Sequence, residues 1–155
     1  MKKCLFSLII SILCMPFYGC ISLSSQTKLT ALQGVQGQVF EQKGNTMPMK
    51  GQKTSKGTFL HTMVYIFEPT SLLKVEGLNG QICAKVNTVL VDSMMTDKDG
   101  KYKIALKPGK YSLMVKFGQG FFVPYFSGTH ELSIIEILPK TFSELDIIVN
   151  VNASY

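Results

Sequence analysis

An alternating pattern of apolar and polar residues fills the middle of the chain, over residues 96–117. The apolar members fall at every second position and are Tyr102, Ile104, Leu106, Tyr111, Leu113, Val115 and Phe117. Period-two alternation is typical of half-buried β-strands. Residues 97–100 and 107–110 supply the Asp, Pro and Gly that tight turns require. The pattern therefore predicts an antiparallel hairpin whose intervening polar residues, Ser112 among them, face solvent.

Further strands are predicted on both sides of this hairpin. Apolar runs or alternations bounded by turn residues occur at 33–41, 61–67, 82–95, 121–126, 132–138 and 145–151. The segment 82–95 predicts one or two strands, most clearly over 86–91. Residues 72–79 predict a short helix or an irregular segment, and residues 44–57 predict a long loop that is either functional or mobile. Short strands with regularly spaced turns are typical of an all-β fold, here a Greek-key β-sandwich of about seven strands.

The first twenty residues have the layout of an export signal. Two lysines precede an apolar run that is too short to span a bilayer. The junction of Gly19 and Cys20 resembles the lipobox of bacterial lipoproteins, in which the cysteine becomes the acylated first residue of the mature chain. The resemblance implies a signal peptide over residues 1–19, lipidation of Cys20 and a lipid-anchored tether over 20–33. The alternative is ordinary signal cleavage nearby.

The charge of the chain limits its partners. The formal net charge of +6 comes from lysine alone, because the sequence contains no arginine. Proteins that bind nucleic acids rely on arginine for bidentate and stacking contacts. The composition therefore argues against nucleic acid as a partner, and the scattered lysines predict a solvated basic surface.

Residues with chemical potential do not form a recognisable catalytic or metal-binding motif. Asp97 and Asp99 resemble the start of a calcium loop, but no acidic ligand follows at the required spacing. His61 and His130 are the only histidines, and neither belongs to a nucleophile elbow or a zinc-binding helix. Cys83 lies in a strand-like context and is predicted to be a buried thiol. We therefore expect no catalytic residue, no metal and no cofactor.

The central turns resemble those of the carboxypeptidase regulatory-like domain, a transthyretin-like sandwich. The matching segments are residues 96–102, 106–111 and 35–39. Residues 120–128 and the final alternating strand resemble small lipoproteins of the Bacteroidota type. The resemblance implies a transthyretin-like or immunoglobulin-like Greek-key domain over residues 34–155. It further implies a non-catalytic accessory role in the cell envelope.

The functional expectation is a non-catalytic envelope lipoprotein, exported by the Sec pathway and facing the periplasm. It would act as a binding or scaffolding module for an unidentified envelope protein or glycan. The candidate partner-binding residues are Phe121, Phe122, Tyr125 and Phe126, since clustered aromatics beside glycines can form a recognition surface. The alternative is that alternate members of this run fill the core.

Two other hypotheses belong to different classes of protein. The chain is alternatively a structural or fimbria-associated subunit that assembles by adding a strand at an exposed sheet edge. A small hydrolase would need a pocket that joins one histidine to a serine or an acid. In addition, residues 92–94 resemble the short O-glycosylation motif of Bacteroidota, which a buried strand position would exclude at Ser93.

Overall fold

The computed structural model describes residues 33–45, 57–128 and 130–154. Within these ranges the chain is nearly all β, with one turn of 3-10 helix (Leu72–Lys74) and no α-helix. The strands are β1 (Gly34–Asn45), β2 (Thr58–Phe59), β3 (Met63–Phe67), β4 (Val75–Glu76), β5 (Ile82–Cys83), β6 (Lys85–Val86), β7 (Leu90–Met95), β8 (Lys101–Ala105), β9 (Gly109–Phe117), β10 (Gly120–Phe122), β11 (Ile134–Ile137), β12 (Phe142–Glu144) and β13 (Ile147–Ser154). The predicted all-β sandwich is confirmed.

Several predictions concern residues outside the described ranges. These are the signal peptide over 1–19, the lipidated Cys20, most of the tether over 20–33 and most of the loop over 44–57. Among the described residues, no helix is long and apolar enough to cross a membrane.

The first sheet is built around β1, whose two halves have different neighbours. Residues 34–38 pair antiparallel with β8, and residues 34–36 pair parallel with β12. Further along, β1 pairs antiparallel with β2 and parallel with β13. Since β12 and β13 follow one another along the same side of β1, the sheet is about three strands wide at any height.

The second sheet is centred on β9 and is wider. Its order is β5-β10-β9-β3-β7, and β11 pairs with the early part of β9. The edge strands of this path are therefore β5 and β7. A separate ribbon of β4 and β6 lies outside both sheets.

The main core lies between the two sheets and draws side chains from both. Its buried members are Val35, Val39, Val64, Ile66, Tyr102, Ile104, Leu106, Leu113, Val115, Phe122, Ile135, Ile137, Ile147 and Val149. Face-to-face burial of this kind is what a β-sandwich requires. The inward positions predicted at Tyr102, Ile104, Leu106, Leu113 and Val115 are confirmed.

The second sheet is buried on both faces, whereas the alternation predicted a solvent face. Ser112 and Met114 are both fully buried. They lie under a second apolar cluster that includes Cys83, Val123 and Leu132. Ser112 tolerates burial because its Oγ accepts a hydrogen bond from the backbone N–H of Thr70, at 2.8 Å. The prediction of a solvent face at Ser112 is wrong, because segments distant in sequence fold over it.

The predicted turn at residues 97–100 forms, whereas residues 107–110 make only a bend at Pro108 before β9 begins at Gly109. The strands on the two sides of each segment do not pair with each other. Asp97 Oδ1 accepts the backbone N–H groups of Asp99 at 2.9 Å and Lys101 at 2.8 Å, and Gly100 has a φ of +69°. This is the predicted turn chemistry. However, β7 and β9 belong to the second sheet and β8 to the first. Each segment therefore crosses between sheets, and the predicted antiparallel hairpin is wrong.

Candidate functional site

Strand β7 is an open, apolar edge of the second sheet. Among the described strands it is hydrogen-bonded to β3 alone. Five of the thirteen large apolar side chains that the described residues expose lie within residues 89–95. They are Val89, Leu90, Val91, Met94 and Met95. Exposed apolar surface on an open strand edge is typical of a protein–protein contact site.

The register between β7 and β3 determines which face each β7 side chain occupies. Met94 and Asp92 lie opposite Val64 and Ile66, which point into the core between the sheets. Ser93 therefore points to the other face. The ladder shifts by one residue after Asp92 and leaves Val91 as a bulge. Bulges are common at sheet edges, where they increase the local twist.

A groove opens between β7 and β8, because the two strands diverge from the turn at residues 96–100. Its volume is about 610 Å³. Among the described strands β8 pairs with β1 alone, so both β7 and β8 present an open backbone edge beside the groove. Met94 and Met95 line one side. The polar lining residues are Gln36, Gln38, Asp97, Lys101, Lys103, Glu144 and Asp146.

Tyr102 and Gly37 also line the groove, and they fix its shape. They lie opposite one another in the pairing of β8 with β1. The Tyr102 hydroxyl donates a hydrogen bond to the Leu145 carbonyl oxygen at 2.6 Å. Burial raises the pKa of this hydroxyl, and the nearby Asp146 carboxylate raises it further, so Tyr102 stays protonated at physiological pH. The groove therefore has a rigid base.

The charged side chains of the groove differ in the hydrogen bonds and contacts that they make. Glu144 accepts a hydrogen bond from Gln36 Nε2 at 3.3 Å, and Asp146 accepts one from the backbone N–H of Gln38 at 3.0 Å. Lys101 and Lys103 are exposed. The Nζ of Lys101 is 4.0 Å from Asp99, and the Nζ of Lys103 lies 4.2 Å from the centre of the Phe142 ring. Exposed contacts of this kind are weak, so both lysines remain accessible to a partner.

The four predicted aromatic residues occupy different environments and do not form one surface. Phe122 is fully buried in the main core. Phe121 is half-buried and packs edge-on against two aromatic rings of β3, at centroid distances of 5.2 and 5.9 Å. Tyr125 and Phe126 are exposed by 36% and 43%. Phe122 thus presents no side chain to a partner, whereas Tyr125 and Phe126 do.

The two histidines lie toward opposite ends of the second sheet. His61 precedes β3 by two residues, and its Nδ1 is 3.2 Å from the Asp97 carbonyl oxygen. Beyond the other end of β3, the His130 carbonyl oxygen accepts a hydrogen bond from the backbone N–H of Leu72. The two histidines therefore lie apart, and neither lines the groove between β7 and β8. Among the described residues, no group of His, Cys, Asp or Glu has an arrangement able to hold a metal ion.

The remaining predicted positions are a thiol and a hydroxyl. Cys83 is fully buried, as predicted, and its burial raises the pKa of the thiol. Ser93 is half-buried on β7, and its backbone N–H bonds Asp92 Oδ1 at 2.7 Å. The condition that would exclude the glycosylation motif, full burial of Ser93, is therefore not met.

The sequence did not identify β7 as a site. The one or two strands predicted within residues 82–95 form as β5, β6 and β7. Residues 86–91, where the pattern is clearest, are divided, because Val86 pairs with β4 and β7 begins at Leu90. A signal was present in the sequence, since apolar residues occur in adjacent positions at 89–91 and 94–95 rather than in alternation. Such runs indicate apolar side chains on both faces of a strand.

Comparison with known proteins identifies no relative: no family model, no curated protein and no solved structure matches this chain. Its function is therefore argued from the geometry of β7 and the groove. That geometry combines an apolar surface with an open backbone edge.

Proposed function

We propose that the protein is a non-catalytic binding or scaffolding module of the cell envelope. It is exported by the Sec pathway, anchored through a lipid on Cys20 and faces the periplasm. The observation that carries the binding role is the exposed apolar edge strand β7 beside its groove. Exposed apolar side chains on an open edge invite association with other chains, so a partner that covers them is expected.

A protein partner suits this surface better than a glycan. Sugar-binding platforms use exposed aromatic faces, whereas the aromatic residue lining the groove, Tyr102, is only 2% exposed. An extended polypeptide instead satisfies an open strand edge with main-chain hydrogen bonds. The bound partner is therefore a protein in this proposal.

Membership of the carboxypeptidase regulatory-like domains, with a transthyretin-like Greek-key topology, is part of the same proposal. It is supported by the two facing sheets and by the turn at residues 97–100, which is one of the segments that carry the resemblance. Domains of this kind serve many roles, so the role of this chain is argued from β7.

The second candidate is a structural or fimbria-associated subunit that assembles by edge-strand addition. It is favoured by the open backbone edges of β7 and β8. In this candidate the partner is another subunit of an assembly, and the contacts are made chiefly by the main chain.

The binding role predicts that a charge on β7 abolishes partner capture. Full-length wild-type chain, cross-linked in envelope membranes, is expected to recover a partner protein that Met94→Glu does not recover. A glutamate at this position opposes strand addition because pairing would desolvate its charge. Ile148→Glu is the matched control, since Ile148 is 37% exposed on β13 and Met94 is 38% exposed. Equal recovery with both variants, or no partner with wild type, would contradict the proposal.

The anchoring role predicts a lipid-modified mature chain that begins at Cys20. Intact-mass analysis is expected to show acyl chains on this residue, because a thioether-linked diacylglycerol adds apolar mass that survives purification. Cys20→Ser is expected to lack that mass. An unmodified amino terminus downstream of Cys20 in the wild-type chain would refute the anchor.

A further inference from the structure

The sequence of β7, and the face of the sheet on which each of its side chains lies, allow the β7 strands of two copies to pair. We infer that the occupant of its open edge is β7 of a second copy of this chain. The two strands run antiparallel about a two-fold axis that passes through the sheet at Ser93. This inference names the partner of the docking edge proposed above and rests on that proposal.

The face pattern restricts the register of such a pair. A two-fold axis perpendicular to a sheet leaves each face on its own side, so residues directly opposite one another must share a face. Asp92 and Met94 share one face, and Ser93 lies on the other. Each symmetric register therefore places one residue opposite its own copy, and the registers centred on the middle of β7 place Asp92, Ser93 or Met94 there.

Charge and overlap select the register centred on Ser93. Centring on Asp92 would set two carboxylates directly opposite one another, which is destabilising. Centring on Met94 would shorten the overlap of the two β7 strands to residues 93–95, whereas centring on Ser93 gives an overlap of residues 91–95. Centring on Ser93 places each Asp92 opposite Met94 of the second copy and separates the two carboxylates.

The groove supplies the charge complement for this register. Met94 lines the groove together with Lys101 and Lys103. An Asp92 side chain set beside Met94 of the second copy therefore approaches that copy's exposed lysines. Asp92 is the only charged residue of β7, and it has the sign opposite to these lysines. Opposite charges that face each other across an interface fix register and partner choice.

The remaining carboxylates of the groove do not cancel this attraction. Asp97 Oδ1 is occupied by two backbone N–H groups of its own turn. Glu144 and Asp146 each accept a hydrogen bond from a glutamine residue of β1. These partners lower the local negative potential around the lysines.

The same register accounts for the apolar surface of β7. Around the axis at Ser93, Met95 of one copy approaches the bulged segment of Leu90 and Val91 in the other. The exposed apolar side chains of both strands then cover one another. The six-stranded second sheets of the two copies would then form one continuous sheet across the dimer.

The test is a disulfide at the symmetry axis. In the register centred on Ser93, the Cα atoms of the two Ser93 residues are about 4.5–5.5 Å apart. This separation allows a disulfide without backbone movement. Full-length Ser93→Cys in envelope membranes, under mild oxidation, is expected to give a disulfide-linked dimer. Wild type controls for the native cysteines.

Met95→Cys is the matched control on the same strand. Its two copies are about 13 Å apart in this register, at roughly 3.3 Å per residue, and are expected to give no dimer. Adding Met94→Glu to Ser93→Cys is expected to abolish the dimer, because the new carboxylate lies directly opposite Asp92 of the second copy. Adding Ile148→Glu is expected to preserve the dimer. A dimer with Met95→Cys as abundant as that with Ser93→Cys, or no dimer with Ser93→Cys, would overturn the inference.

Self-pairing and the docking edge can be distinguished by the same variants. If Ser93→Cys gives no dimer while Met94→Glu still loses a different envelope protein, then self-pairing is wrong and the docking edge stands. If Met94→Glu changes neither the amount of dimer nor the recovery of a partner, then the docking edge itself is wrong.

Discussion

Replacing Gly37 with alanine is expected to lower the free energy of unfolding by about 3 kcal/mol, at the upper end of overpacking effects. A Cβ atom at this position would lie 1.9 Å from the Leu145 carbonyl oxygen. The opposing atom is backbone, and it accepts the hydrogen bond of the buried Tyr102 hydroxyl. Relief of the clash would separate β1 from the connection between β12 and β13, where the Leu145 N–H bonds the Gln36 carbonyl oxygen.

Urea unfolding followed by circular dichroism measures this change. Gly128→Ala is the matched control, because a Cβ atom there would meet no atom within 4 Å. Its effect is expected to stay within about 0.5 kcal/mol. Equal stability of the two variants would show that residues 145–146 do not pack closely on β1.

Truncation of Phe122 to alanine is expected to cost about 3–5 kcal/mol of stability, which is typical for a large buried aromatic residue. The Phe122 side chain is fully buried in the main core, and its backbone pairs with Val115 on one side and Ile82 on the other. Removal of the ring would leave a cavity in the main core, through which the first sheet packs against the second.

Phe126→Ala separates a core role from a binding role within the same aromatic segment. Phe126 is 43% exposed, so its truncation is expected to change the free energy of unfolding by about 0.5 kcal/mol or less. Both variants are compared by urea unfolding and by partner recovery. A Phe122→Ala protein as stable as wild type but unable to recover a partner would make Phe122 a binding residue and contradict its structural role.

The sequence was sufficient to predict strands and the turn at Asp97, but not which strands pair with each other. Alternation correctly placed Tyr102 and Ile104 inward on β8, since side-chain direction in a strand is a local property. The Asp97 turn was also correct, because its hydrogen bonds join residues within four positions. Whether the strands after such a turn pair or diverge depends on distant partners. Here β1 takes β8, and β3 takes β7.

Burial of both faces of β9 was not predictable for a related reason. Met114 is covered by Val123 and Leu132, which lie in segments without regular periodicity. A pattern that reports one strand at a time contains no information on what lies above it.

The candidate site shows the same limit. Aromatic residues were visible in the sequence, but it did not reveal that Phe122 would be internal. The apolar residues of β7 were equally visible. What makes Met94 and Met95 a surface is the position of β7 at the edge of its sheet, which is a property of the whole fold.

The parallel placement of β1 beside β12 and β13 governs the order in which the chain folds. Gln36 on β1 bonds Glu144 on β12, a residue 108 positions later. Contacts between such distant residues form slowly, because the entropy of closing a long loop is lost before the contact forms. The first sheet therefore reaches completion only after β13 has emerged from synthesis. Until then the chain lacks part of its main core, to which Ile147 and Val149 of β13 contribute.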